Sequence, residues 1–247
     1  MVSSKWTTEL KRPVRHISAT DEPWDAQQWP FNIPAVAQLL RSGLDLGPAT
    51  VLVGENGSGK STIIEALAEA YGLNVEGGST GAMHSTRRTE SPLGNHLQIS
   101  KGAAAARGGY FIRAETMHGL FSYLESVQMG PDLHRRSHGE AFLELIETRC
   151  YGTKGPRPGL YLFDEVESAL SFSSSLRVLA TLSELASTAG VQLVLATHSP
   201  ILAALPGARI LQLDADGFAE RDWADLELVI SERFFLSDPQ GFLGRLC

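Results

Sequence analysis

The sequence predicts an α/β protein: a mostly parallel central sheet flanked by helices. Three observations carry this. Short apolar runs of buried-strand type (Ala49–Val53, Leu160–Phe163 and Val191–Thr197) alternate with stretches of helical periodicity. A glycine-rich turn from Gly54 to Gly59 separates the first of these runs from a helix. The second run ends in adjacent carboxylates, Asp164 and Glu165. Strands that alternate with helices imply a parallel sheet.

Each element has a local reason. Residues 1–48 are punctuated by Pro13, Pro23, Pro30, Pro34 and Pro48, with Trp24, Trp29 and Phe31 between them. They read as a short strand near Val14–Ile17, a loop, and a helix from Pro34 to Arg41. Thr62–Ala70 carries apolar residues at i, i+1, i+4 and i+5 and reads as a helix. Gly77–Gly81 is a loop. His96–Ser100 and Gly109–Ala114 read as strands around the small-residue tract Gly102–Gly109. Thr116–Val127 and Glu140–Arg149 read as helices. A Gly/Pro loop, Gly152–Gly159, leads into the strand Leu160–Phe163. Ser173–Ala189 is an amphipathic helix, Ala208–Leu213 a further strand, and helices close the chain. No internal repeat is visible.

Composition narrows the class. A chain of 247 residues with 43% apolar and 20% charged residues suits one α/β unit with a large core, or a core plus a small subdomain. Cys150 and Cys247 form no disulfide framework, which points to a reducing, cytoplasmic setting. No apolar run reaches the ~18 residues a membrane span needs. Lys5, Lys11 and Arg12 precede no apolar segment of secretory type. The net charge of −7 argues against a protein that coats nucleic acid on every face, but not against a local basic groove. Arg87, Arg88, Lys101, Arg107 and Arg113 cluster against one acid, Glu90, while the stretch after Asp214 is strongly acidic. The basic cluster reads either as a solvated face or as a surface for phosphates or an acidic partner.

The chemistry-bearing residues follow. Gly54, Glu55, Asn56, Gly57, Ser58, Gly59, Lys60, Ser61 and Thr62 fit G-x-x-x-x-G-K-[ST] without a mismatch. Glycines let backbone N–H groups turn inward around an anion with no Cβ in the way, and the helix N-terminus adds partial positive charge. Lys60 would bridge the β- and γ-phosphates, and the Ser61 hydroxyl would ligate Mg²⁺. Asp164 sits at the C-terminal end of a buried strand, where open α/β sheets bind ligands, and would hold Mg²⁺ directly or through water. Glu165 would orient and deprotonate an attacking water. His198, in Thr197–Pro200, ends a strand expected beside that of Asp164, so its imidazole would reach a γ-phosphate. A structural histidine is the plainer reading.

These residues carry a resemblance. The glycine loop, Asp164-Glu165, Ser168–Ser171 and His198 resemble the Walker A, Walker B, D-loop and H-loop of ABC-type ATPases. In that superfamily a signature loop, usually LSGGQ, precedes Walker B. Here Arg136–Glu140 is the candidate: Ser137 and Gly139 match, whereas His138 and Arg136 depart from the pattern. Nearly the whole chain beyond residue 13 is similar to small stand-alone bacterial ABC-type ATPases of the SMC/RecF branch. Ser85–Arg88, Ser91–Leu93 and Phe111–Glu115 add to the likeness, as do the segments around Asp164 and His198. Val166 stands where such proteins usually have proline, which would loosen the turn.

The resemblance implies an ABC-ATPase type of P-loop NTPase fold. One domain would span residues 1–247, with a small antiparallel β part near residues 84–114 and a helical signature region near 116–150. It implies ATP and Mg²⁺ as ligands and an ATP-dependent head-to-tail homodimer, with Ser137 and Gly139 reaching the γ-phosphate across the interface. Glu115 stands roughly where a Q-loop glutamine belongs. Trp29 and Phe31 are candidates to stack on adenine, with core packing as the plainer alternative. About 75 residues separate Lys60 from Ser137, without the sustained heptads of SMC-type coiled-coil arms.

Three functions stay open at this point. The first is ATP hydrolysis by in-line attack of water, coupled to an unidentified partner. The second is a nucleotide-gated binding module on nucleic acid or a partner protein, with slow turnover. The third, a P-loop kinase for a small metabolite, leaves His198 and the loop from Ser137 to Glu140 unexplained. Arg87 and Arg88 suit either a phosphate at the ATP site or an outward surface for nucleic acid.

Overall fold

The computed structural model describes residues 9–75, 77–79, 91–114 and 138–244. The expected helix Thr116–Val127 and residues Arg87, Arg88, Glu115 and Ser137 lie outside the described residues. The elements, in order, are β1 (His16–Ala19), α1 (Pro34–Ser42), β2 (Leu44–Asp45), β3 (Ala49–Gly54), α2 (Lys60–Tyr71), β4 (Leu97–Ser100) and β5 (Gly109–Arg113). Next come α3 (His138–Cys150), β6 (Tyr151–Gly152), β7 (Gly155–Pro156), β8 (Gly159–Asp164), α4 (Phe172–Ser187) and β9 (Val191–Thr197). The last are α5 (Pro200–Ala203), β10 (Arg209–Asp214), β11 (Gly217–Glu220), α6 (Glu227–Ser237) and α7 (Pro239–Leu243).

The central sheet has the order β11-β10-β3-β9-β8-β5. β10, β3, β9, β8 and β5 run parallel, and β11 pairs antiparallel at one edge. A separate antiparallel sheet has the order β2-β1-β4. The α/β class with a mostly parallel sheet and a small antiparallel one is therefore as expected.

Alternation along the strands builds two cores. Val51, Val53, Tyr161, Phe163, Leu193 and Leu195 face one layer with Phe142 and Ile146 of α3 and Val178, Leu182 and Leu185 of α4. Leu52, Leu160, Leu162, Val194 and Ala196 face the other, with Leu39 of α1 and Ile64 and Leu67 of α2. A side-chain period of two with apolar residues on both faces makes a strand that is buried on both sides. Burying each large aliphatic side chain favours folding by about 1.5–3 kcal/mol before conformational entropy is counted.

Two departures from the sequence reading have clear reasons. Of the segment expected to be antiparallel, Leu97–Ser100 joins β1, but Gly109–Arg113 pairs parallel with β8. Tyr110 and Ile112 are buried in one core and Phe111 in the other, so β5 belongs between two layers. β11 was not foreseen. It is four residues long and opens at Gly217, whose φ of 124° favours glycine.

Register places the site. Val53 pairs with Thr197, Asp164 with Ala196 and Arg113 with Asp164. The C-terminal ends of β3, β9, β8 and β5 thus line one edge of the sheet.

Candidate active site

The turn after β3 closes on itself before any ligand arrives. Gly59 has φ of 100°, and a Cβ there would come within 2.8 Å of Ile33 on the segment leading into α1. A Cβ on Gly54 would come within 2.4 Å of the Leu213 carbonyl of β10. Only glycine satisfies both positions. α2 then opens at Lys60, with Ile63, Ile64 and Leu67 holding it on the sheet. Its first N–H groups have no intrahelical acceptor and point into the turn.

Lys60 is 3% exposed. Its ammonium donates to the Gly54 and Glu55 carbonyls at 2.9 and 3.0 Å. Burial lowers its pKa from the ordinary value, and the nearby carboxylates of Glu165, Asp164 and Glu167 act in the opposite direction. The Ser61 hydroxyl donates to Asp164 Oδ1 at 3.0 Å. Ser58 Oγ is buried and has no hydrogen-bond partner among the described residues, which suits a group that meets a ligand.

Glu165 comes next. Its N–H donates to the Ala196 carbonyl at 3.0 Å, and the chain then leaves the ladder. Its φ is 51°, a positive value found at no other non-glycine among the described residues. That conformation costs about 1–2 kcal/mol and persists only where the surroundings impose it. Glu165 Oε1 lies 3.1 Å from His198 Nε2 and 3.9 Å from Lys60 Nζ. Val166, expected to loosen this turn, is 2% exposed and anchors it by packing in the core.

Lys60, Ser61, Asp164, Glu165 and His198 therefore meet at one edge of the sheet. Gly139 lies at the start of α3. The turn from Gly54 to Ser58 and His198 also line a cavity of about 610 Å³, as do Asp214, Glu227 and Glu232. Phe31 does not serve as an adenine platform. It is 6% exposed, sits in the core and meets His96 edge-on at 4.9 Å. Trp29 is 56% exposed, and neither ring lines the cavity.

Two groups at the site were not assigned roles from sequence. Arg113, counted in the basic cluster, lies with Nε 3.5 Å from Asp164 Oδ2 and Nη2 2.7 Å from Glu65 Oε1. Lys101, from the same cluster, sits over the Tyr71 ring at 4.3 Å. The position of Arg113 at a strand's C-terminal end was the available signal, the same one that marked Asp164. Glu167 accepts from the Thr197 hydroxyl and the His198 N–H. It lies in the Asp164–Ser171 segment that carries the resemblance, but nothing in that segment marked its role.

Among the described residues no helix is long and apolar enough to cross a membrane. No group of three or more His, Cys, Asp or Glu residues there could hold a metal unaided. Ser61 and Asp164 do fit a cation of Mg²⁺ type, which takes one or two protein oxygens and fills its remaining positions with phosphates and water.

The hemin import ATP-binding protein HmuV of Shewanella denitrificans is 24% identical over 191 residues, 68% of this chain and 74% of that protein. Among solved structures, a metal-chelate type ABC transporter in an inward-facing conformation is 18% identical, with a TM-score of 0.45 over 78% of this chain and 80% of that one. The SMC head domain from Thermotoga maritima is also 18% identical, with a TM-score of 0.40 over 73% and 92%. The model of the AAA domain family matches residues 45–205, which is most of the chain. This protein thus belongs to the AAA domain family and is a P-loop ATPase.

Proposed function

We propose that the chain binds ATP with Mg²⁺ between β3 and α2 and hydrolyses it with Glu165 as the base. The observation that carries this reading is the 3.1 Å contact between Glu165 Oε1 and His198 Nε2 beside the buried Lys60. The N–H groups of residues 57–62 and the Lys60 ammonium hold the β- and γ-phosphates. To do so, Lys60 exchanges its Gly54 and Glu55 carbonyl partners, in part, for phosphate oxygens. Ser61 and Asp164 would hold the cation, which would supply neutralisation of phosphate charge. Arg113 keeps the second oxygen of Asp164 oriented.

Glu165 accepts a proton from the water attacking in line, and His198 orients Glu165 and hydrogen-bonds the γ-phosphate oxygens. The protein contributes position and charge rather than covalent chemistry.

The resemblance to ABC-type ATPases supports a head-to-tail dimer in which ATP is shared. Gly139, at the start of α3, and Ser137 would meet the γ-phosphate of the second copy. An ATP-driven clamp on a partner, with turnover as a reset, is the second reading. It is favoured by the exposed apolar side chains Ile230, Phe234 and Leu236 of α6, the helix whose Glu227, Leu228, Ser231 and Glu232 line the same cavity as the ATP turn.

Light scattering on Glu165→Gln with and without ATP and Mg²⁺ tests the shared-ligand reading. A doubled mass with ATP is the expected result, and one mass in both conditions overturns it. Phosphate release by the parent protein tests hydrolysis itself.

A further inference from the structure

We propose that Glu167 is a positioning residue that sets the imidazole of His198 against Glu165. The proposal rests on the reading that the Glu165–His198 pair serves hydrolysis. It goes further by naming what holds the pair together.

The two side chains belong to different turns. Glu165 follows β8 and His198 follows β9, and their side chains are 37% and 35% exposed. Partly exposed side chains hold a 3.1 Å distance only if their backbones are fixed relative to each other. The β8–β9 ladder ends with the Glu165 N–H on the Ala196 carbonyl. Beyond that point, the backbone-fixing hydrogen bonds between the two turns among the described residues are those of Glu167.

Glu167 Oε1 accepts from Thr197 Oγ1 at 2.7 Å and from the His198 N–H at 2.5 Å. Thr197 is fully buried, and its hydroxyl also accepts from the Ser199 N–H at 3.0 Å. One carboxylate oxygen therefore gathers the donors of three successive residues around the imidazole, directly or through Thr197. The other oxygen, Oε2, is buried with no hydrogen-bond partner among the described residues. A buried, half-satisfied carboxylate is unfavourable for folding alone. That imbalance is expected where a group is kept for geometry at a site.

The bonds Glu167 makes need an acceptor oxygen and not a charge. Glu167→Gln retains that oxygen and Glu167→Ala removes it. For ATP turnover, Glu167→Ala is expected to lower kcat by about 10–100-fold, the usual consequence of misplacing a catalytic group, while KM changes by less than about threefold. Glu167→Gln is expected to restore kcat to within about threefold of the parent, and in a His198→Ala background Glu167→Ala should add less than about threefold, because it acts through His198.

A second measurement does not depend on turnover. In protein with labelled histidine and no nucleotide, the His198 Hε1 resonance should broaden or move in Glu167→Ala and stay in place in Glu167→Gln. A parent protein that releases no phosphate removes the hydrolysis reading, while this resonance still tests the tether. An unmoved resonance in Glu167→Ala, or equal kcat losses with and without His198, overturns the proposal. Should Glu167→Ala not fold, Thr197→Val removes one donor to the same oxygen. Parent kcat and a parent His198 resonance in Thr197→Val then overturn it.

Discussion

The two ends of the central sheet treat buried polar groups in opposite ways. At the N-terminal end of β9, Gln192 is fully buried and its carboxamide is completely used. It donates to the Val14 and Gly47 carbonyls at 2.7 and 2.8 Å and accepts from the Val14 N–H at 2.7 Å. This ties the segment before β1 and the loop before β3 to the main sheet. At the C-terminal end, Ser58 Oγ and Glu167 Oε2 are buried without hydrogen-bond partners among the described residues, Lys60 is desolvated, and Glu165 holds a left-handed backbone. Around Gln192 the joint is closed, although the nearby Arg12 Nε is also buried with no hydrogen-bond partner among the described residues, whereas the opposite end is an incomplete site. Polar groups left unsatisfied by the fold remain available to a phosphate, a cation or a water.

The contrast can be broken at several points. Lys60→Ala removes the main side-chain charge at the open end, and nucleotide binding should fall below detection in calorimetry. Retained ATP affinity would detach Lys60 from the phosphates.

Glu165→Gln should keep nucleotide affinity within a few-fold and slow phosphate release by roughly 10²–10⁴-fold, the span expected for a general base. Turnover at the parent rate would mean that another group activates the water.

The closed end should behave differently. Gln192→Ala leaves Val14 and Gly47 groups unpaired, and stability measured by urea unfolding should drop by about 2–4 kcal/mol. The kcat and KM for ATP of the folded fraction should stay at parent values. A Gln192→Ala protein of normal stability and impaired turnover would erase the distinction between the two ends.

The smallest effect concerns pH. Lys60 has a folded pKa below its ordinary value of 10.5, chiefly through burial. Between those two values the unfolded chain holds the extra proton, so this lysine makes stability rise with pH in that window. Tyr71, pushed up to about 12 by burial, acts oppositely at higher pH. Comparing Lys60→Met with the parent isolates the lysine: the variant should lack that rise in alkaline urea titrations. Parallel stability curves would show that Lys60 is not desolvated in the fold.

Local patterns made much of this molecule legible. The strands at Ala49–Gly54 and Val191–Thr197 are continuous apolar runs because both faces are buried, and each was visible within a residue or so. β11 was missed because four residues with one buried position carry little periodic signal. Phe31 was ambiguous because a ring that packs and a ring that stacks look alike in sequence. Only its contact with His96 shows which it is. Glu167 lies inside the Asp164–Ser171 segment that carries the resemblance, but its role left no local trace because its partners are 30 and 31 residues away.

By itself, the sequence determined the α/β class, the phosphate turn with Lys60 and Ser61, and the carboxylates that end β8. All of these depend on glycine conformations, apolar period and strand ends, which are properties of neighbouring residues. The tertiary structure alone decided that β5 runs in the parallel sheet, that Arg113 faces Asp164, and that Glu167 bridges two turns beside Glu165 and His198. Those contacts depend on which strands become neighbours and in what register. Strand order is set by how whole layers bury their apolar faces, so no single segment encodes it.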